Sequence, residues 1–405
     1  MKKAHRDHFE EFEEHTLLKH GILRRYIQAW ARKLLFARGR KFDRIWIVDA
    51  FAGTGSDEQG HPGSPLIAAR IAQEVERDLA SRGMSGTVRV LAIEKEREFY
   101  DKLVERMEAY TEGDDPTVIL RHGTLAERID GFVEYVGDDP VLYFLDPFGV
   151  DGLQKELLLK ALTGPRNEIF VLFSDLGAAR LMAALAKEGR DETAELAAVL
   201  AQPGLFVELD QELVEVRRAE IQESNRALDQ AKQAADRIMG EAVGAEGIAR
   251  LLGLPWDELQ DESVEVWKEA LEEAGAKHVV AMPIRNKEGK RLHQLVHASK
   301  HVKGFVAMKE AMNTSVGHSL LPETVRNAIT LDVAVEDDAL LTAVVERFGG
   351  REVRWTGKGG VKEFLDWETP AFPSQVQHLR SKVKDLGWQV SGRPIVLAVP
   401  SNRDD

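Results

Sequence analysis

Three acids and two glycines in the first 150 residues have the types and spacing that chemistry needs. Asp49 closes the apolar run Ile45–Val48 and is followed by Phe51, Gly53 and Gly55. Glu94 closes Val88–Ile93, and Asp146 closes Val141–Leu145 ahead of Pro147, Phe148 and Gly149. A Gly-x-Gly turn lets a ligand approach the main chain where a Cβ would obstruct it. A carboxylate accepts two hydrogen bonds, so Asp49 suits an amine and Glu94 a pair of vicinal hydroxyls. Asp146 and the Pro147 carbonyl could accept hydrogen bonds from a planar amine whose lone pair stays free to attack, with Phe148 stacked on its ring. Such a site needs alignment and a proton acceptor, not a metal or a covalent nucleophile.

Three cofactors compete for the glycine turn. A phosphate loop needs Gly-Lys-Ser/Thr after four spacers, and that run is absent. A dinucleotide fingerprint needs a third glycine three positions after Gly55, where Glu58 stands. S-adenosylmethionine (SAM) remains. Its methionine end would lie on Asp49, Phe51 and Gly53–Gly55, and its ribose on Glu94. The third strand ends in Arg121-His122-Gly123-Thr124, and Thr124 is a further candidate for the cofactor.

These residues must be held by alternating strands and helices. Apolar runs at Ile45, Val88, Thr117, Val141 and Glu168 each end in polar residues, the last in Ser174-Asp175. Helices are read after the strands at Ile45, Val88 and Thr117, and the alternation of strand and helix, counted as five, predicts an α/β, doubly wound parallel sheet with ligands at the strands' carboxyl ends. Residues 7–36 read as one helix with His15, Lys19, Ile22, Tyr26 and Trp30 on one face. If it packs antiparallel to the first strand, His15 and Lys19 lie at the ligand edge. His15, Lys19, Tyr26 and Ser174 are therefore candidate pocket residues.

The remainder is read as a helical, charged segment over 201–274, with Glu215–Arg237 as an exposed hairpin arm. A β-hairpin from His278 to His297 then completes the sheet within 275–330. His293, His297 and His301 lack a carboxylate at ligand spacing, so no metal is expected. Over 331–405, a helix at Leu340–Arg347, a second opening at Pro373 and a short hairpin from Trp388 to Val396 predict a winged-helix-like module. In its second helix Val376, Leu379, Val383 and Leu386 face inward and Gln375, Gln377, Arg380, Ser381 and Lys384 outward. Residues 1–200 are expected to form the core. With 405 residues, 43% apolar and 30% charged, the chain fits a folded multidomain protein. A net charge of −14 argues against a general nucleic-acid coat but leaves a local patch open. No apolar run is long enough for a membrane span, there is no cysteine, and the N-terminus lacks a signal-peptide core, so a cytoplasmic location is expected.

The runs His15-Thr16, Lys19-His20, Ile22-Leu23, Tyr26 and Trp30, with Val48–Gly55, Pro62–Leu66, Leu145–Gly149 and Ser299–His301, resemble the three-Cys-motif partner family over roughly residues 8–310. The resemblance implies a class I SAM-dependent methyltransferase-like fold with sheet order 3-2-1-4-5-7-6. It also implies a companion protein carrying a three-cysteine, radical-SAM-like motif. Two departures matter: a single proline follows Asp146, and no acid ends the third strand. The expected activity is SAM-dependent N-methylation of a nucleobase or related planar amine. The alternatives are a non-catalytic SAM-fold partner and a nucleic-acid-binding regulator acting through the C-terminal module.

Overall fold

The computed structural model describes residues 14–147, 149–187, 207–286, 288–316, 329–331, 337–369, 371, 373–385, 388–391 and 396–399. The chain divides into two compact units: Met1–Asp146 with Leu157–Leu172 and Leu271–Asp405, and Pro147–Glu156 with Phe173–Ala270.

The first unit is built on an eight-stranded sheet: β1 (Arg44–Asp49), β2 (Thr87–Glu94), β3 (Val118–His122), β4 (Val141–Leu145), β5 (Glu168–Phe173), β6 (His278–Asn286), β7 (Arg291–Ser299) and β8 (Ile329–Leu331). Its order is 3-2-1-4-5-7-6-8. The first five strands pair in parallel, whereas β6 is antiparallel to both β7 and β8. The expected order therefore holds through seven strands. The eighth, only three residues long, extends the edge.

Strands β1, β4 and β5 are buried along nearly their whole length, which is why they read as unbroken apolar runs. Helices α1 (Glu14–Leu35), α2 (Ser64–Ser81), α3 (Arg97–Thr111) and α4 (Leu125–Val136) belong to this layer system. Leu18, Ile22, Tyr26, Ile27, Trp30 and Leu35 of α1 enter the same core as Ile47, Phe144 and Phe170 of the sheet. The short α5 (Lys155–Ala161) lies between β4 and β5 in the chain.

In the second unit, α6 (Asp175–Ala186) packs on α7 (Val207–Leu251), and α8 (Trp256–Glu273) follows. Residues 215–237 do not form the expected hairpin arm; they are one stretch of α7. No glycine or proline interrupts the chain there; most of its described side chains are exposed, as expected, with Ile221 and Ala235 fully buried. The break falls later, at Gly244, with φ 74°.

After α9 (Val302–Val316), the first unit continues with α10 (Asp337–Phe348), β9 (Glu352–Arg354), α11 (Val361–Glu368), α12 (Pro373–Asp385), β10 (Gln389–Ser391) and β11 (Val396–Ala398). The three strands form an antiparallel sheet ordered β10-β11-β9. Val376, Leu379 and Val383 do face inward, joining Leu340, Trp355, Leu365 and Leu397, while Leu386 lies outside the described residues. Lys309 of α9 is completely buried and donates to the carbonyls of Asp366 (2.7 Å), Thr369 (3.1 Å) and Ala371 (2.7 Å), where α11 ends. An ammonium there complements the negative end of the helix dipole. Burial pulls its ionisation down to about 8. Among the described residues, no helix is long and apolar enough to cross a membrane.

Candidate functional site

The strand order places the ends of β1, β2 and β4 on the carboxyl edge of the sheet, where open α/β folds bind ligands. Asp49, Glu94 and Asp146 stand at those ends, all within the first unit. The turn after β1 is pinned by Ala50 N–H to the Phe144 carbonyl (3.2 Å) and Ala52 N–H to the Ile93 carbonyl (3.0 Å). Gly53 and Gly55 then take φ of 59° and 83°, left-handed values that disfavour a side chain. A Cβ on Gly55 would lie 3.1 Å from the Leu103 side chain of α3. Gly55 also accepts from Gly63 N–H (2.8 Å), which closes the polar loop over 56–62 and delivers the chain to α2. Arg106 braces the loop by donating to the carbonyls of Thr54 and Ser56.

Asp49 is 1% exposed. Its Oδ1 accepts weakly from Phe51 N–H at 3.4 Å, and its Oδ2 has no hydrogen-bond partner. A side-chain hydrogen bond from Ser64, which opens α2, favours the charged form. Burial dominates and pushes the carboxyl from 3.8 to about 7, with the charges of Asp146 and Glu94 adding to the rise. Among the described residues, no cation pairs with this group. Glu94 is also buried and its ionisation is raised by burial, but both its oxygens are engaged: Oε2 accepts from Gly53 N–H (2.8 Å) and Oε1 from Glu96 N–H (2.7 Å). Each oxygen has a second lone pair for a further donor.

Helix α1 runs antiparallel to β1, and its early turns reach the carboxyl edge. Lys19, 3% exposed, donates from Nζ to Asp146 Oδ2 as a close ion pair. Thr16, one turn earlier, is 1% exposed with its hydroxyl unpartnered. Helical spacing puts Thr16 and Lys19 on one face. The side chain of His15 lies outside the described residues.

Several expected site residues are placed otherwise. Tyr26 is two turns beyond Lys19 and belongs to the opposite edge. Its hydroxyl donates to Glu168 at the start of β5 and lies 3.0 Å from His297 Nε2, which is itself 3.0 Å from Glu168 Oε2. All three are buried, and burial together with the Glu168 charge raises the Tyr26 ionisation well above its ordinary value. Tyr26 is thus a core anchor, and His297 serves Glu168 rather than a metal set. Thr124 is the N-cap of α4: its hydroxyl accepts from Glu127 N–H, and its own N–H donates to Glu127 Oε2 at 3.0 Å. That reciprocal capping box occupies both groups. His122 lies two residues before Thr124. It ends β3 in register with Glu94, and its Nε2 is buried without a partner. Ser174 caps α6 in the second unit by accepting from Gly177 N–H at 3.1 Å. Pro147 is buried and belongs to that unit, and Phe148 lies outside the described residues.

Sequence reading missed Thr16 and His122. For Thr16 the signal was a second polar residue beside Lys19 at the head of an apolar stripe. For His122 it was a polar ring ending a strand next to Glu94.

No family model matches the sequence, and no curated protein matches it. Among solved structures, a candidate sarcosine dimethylglycine methyltransferase from Galdieria sulphuraria matches at 12% identity and TM-score 0.23, covering 67% of this chain and 84% of that one. The cyclopropane synthase MmaA2 from Mycobacterium tuberculosis matches at 10% identity and TM-score 0.21, covering 66% and 82%. A geranyl diphosphate methyltransferase in complex with GPP and sinefungin matches at 11% and 0.20, covering 67% and 77%. At those scores the likenesses carry no argument of their own. The strand order, with five parallel strands followed by an antiparallel β7–β6 pair, is that of the class I methyltransferase fold.

Proposed function

We propose that this chain is a SAM-dependent methyltransferase acting on a nitrogen of a nucleobase or related planar amine. The observation that carries the reading is Asp49, a fully buried carboxylate with an unpartnered oxygen at the head of a left-handed glycine turn. A buried charge is costly unless paired, and an ammonium is what this one lacks. The donor set also suits the rest of SAM. Gly53–Gly55 leave room at the backbone, Glu94 has lone pairs for the ribose hydroxyls, and His122 Nε2 is unspent beside it.

When bound, SAM supplies an electrophilic methyl group on a sulfonium. Asp49 would hold the methionine ammonium, and Glu94 the ribose. Asp146, held by Lys19, would orient the acceptor's N–H and take its proton as the nitrogen lone pair is alkylated. Calorimetry tests the first part: the parent should bind SAM and Asp49→Ala should not, and absence of binding by the parent refutes it. Incubation with labelled SAM and fractionated nucleic acids, proteins and metabolites then identifies the acceptor. If Asp146→Ala retains SAM affinity and full transfer, Asp146 has no catalytic part.

A second reading takes the C-terminal module as winged-helix-like; its order of helix, strand, helix, helix, strand, strand supports that. On α12, Gln377, Arg380 and Ser381 are exposed, whereas Gln375, His378 and Lys382 approach Asp337. Among the described residues this pairing leaves few free cations on α12, so nucleic-acid docking would be weak and salt-sensitive, falling further in Arg380→Ala. A three-cysteine-motif companion is the partner the sequence resemblance suggests, and co-purification with it is the direct test.

A further inference from the structure

The mechanism above leaves the head of α1 unexplained. Lys19 is buried on Asp146 across 127 residues of sequence, and the Thr16 hydroxyl beside it is buried with no partner. Holding Asp146 in place does not require a buried ammonium with two further N–H donors, nor an unsatisfied hydroxyl, each of which costs stability. Both are explained if something completes them. An ion pair offers an acceptor and a donor side by side: Asp146 takes an N–H, and Lys19 gives one to a neighbouring acceptor atom.

We propose that Thr16, Lys19 and Asp146 together read the hydrogen-bonding edge of the methyl acceptor, and that the acceptor is an amidine-type edge, an amino group attached next to a ring nitrogen. Asp146 accepts from the amino group, and Lys19 donates to the ring nitrogen. Thr16 supplies a hydroxyl that donates or accepts at the rim. This rests on the methyl-transfer reading and narrows it: simple alkylamines and anilines lack the second atom and are rejected. A site built to hydrogen-bond such an atom discriminates strongly against an analogue without it, because its own buried group is then left unpaired.

The test uses two isomers that differ only in where the ring nitrogen stands. The full chain, saturated with S-adenosylhomocysteine, is titrated with 2-aminopyridine, which has the amidine edge, and with 3-aminopyridine, which does not. The 2-isomer should bind about tenfold more tightly, the worth of one charge-assisted hydrogen bond. Lys19→Met should erase that preference in a chain that still binds S-adenosylhomocysteine. Lys19→Gln, whose amide still donates both ways, should retain part of it and covers the case in which Lys19→Met does not fold. Equal affinity for the two isomers in the parent, or a preference that survives in both variants, overturns the inference. Failure of S-adenosylhomocysteine or SAM to bind the parent at all refutes the underlying methyltransferase reading instead.

Discussion

The sharpest expectation concerns Asp49→Asn. Asparagine keeps the shape of the carboxyl and removes its charge. In the folded chain the carboxyl ionises near 7 rather than at 3.8, because burial penalises the anion and two nearby carboxylates repel it. Between those values the native state holds a proton that the unfolded chain has released, so stability falls as pH rises through the window. At about 1.36 kcal/mol per pH unit, the charge costs about 4 kcal/mol above pH 7 and about 1.5 kcal/mol near pH 5. Asparagine has nothing to titrate. Measured by denaturant unfolding, the variant should gain on the parent by about 2.5 kcal/mol between roughly pH 5 and pH 8. It should also lose SAM binding, since the group that pairs the ammonium has gone. A stability gap that stays constant across that range would refute the account of Asp49 as a strained, cation-seeking carboxylate.

Other outcomes follow from the same structure. SAM binding to the parent should weaken as pH falls through about 7 and release protons near that pH, because the ammonium favours ionised Asp49; equal heats in buffers of different ionisation enthalpy would contradict it. Gly55→Ala puts a side chain on a φ of 83° and 3.1 Å from Leu103, so it should cost about 1–3 kcal/mol in unfolding and reduce SAM affinity. Tyr26→Phe removes the donor to buried Glu168 and should destabilise by about 1–3 kcal/mol while leaving SAM affinity intact, since its contacts lie at the other sheet edge. Lys309→Met strands three carbonyls at the end of α11 and should lower stability by about 2–3 kcal/mol near neutral pH, seen first as protease sensitivity within residues 337–399.

What was legible from residues alone was the part governed by local rules. Parallel strands buried on both faces leave continuous apolar runs, so β1, β2, β4 and β5 announce themselves, and the acids that end them mark the ligand edge. Gly53 and Gly55 mark left-handed backbone because little else tolerates it. Pairings between distant residues were not legible. That Lys19 meets Asp146, and that Tyr26 instead meets Glu168 and His297, depends on how far along α1 each edge of the sheet falls. Thr124 looked like a ligand group because its position is right, yet Glu127 three residues later is the signature of a capping box. The charged composition of 215–237 suggested an exposed hairpin arm; the stretch is largely exposed, but it is one continuous helix held at Ile221 and Ala235.

The buried Tyr26–Glu168–His297 network has a consequence for how the protein is made. Tyr26 and His297 are separated by 271 positions, so α1 waits for a late strand of the sheet before its buried network with Glu168 is complete. Until then the apolar face of α1 and the side of the sheet it covers remain open to solvent and to other chains. Such long-range closure slows folding and lengthens exposure during synthesis. A ribosome stalled before residue 297 would therefore present a chain whose glycine turn and strand-end acids already exist, but whose Tyr26–Glu168 pair still lacks its histidine.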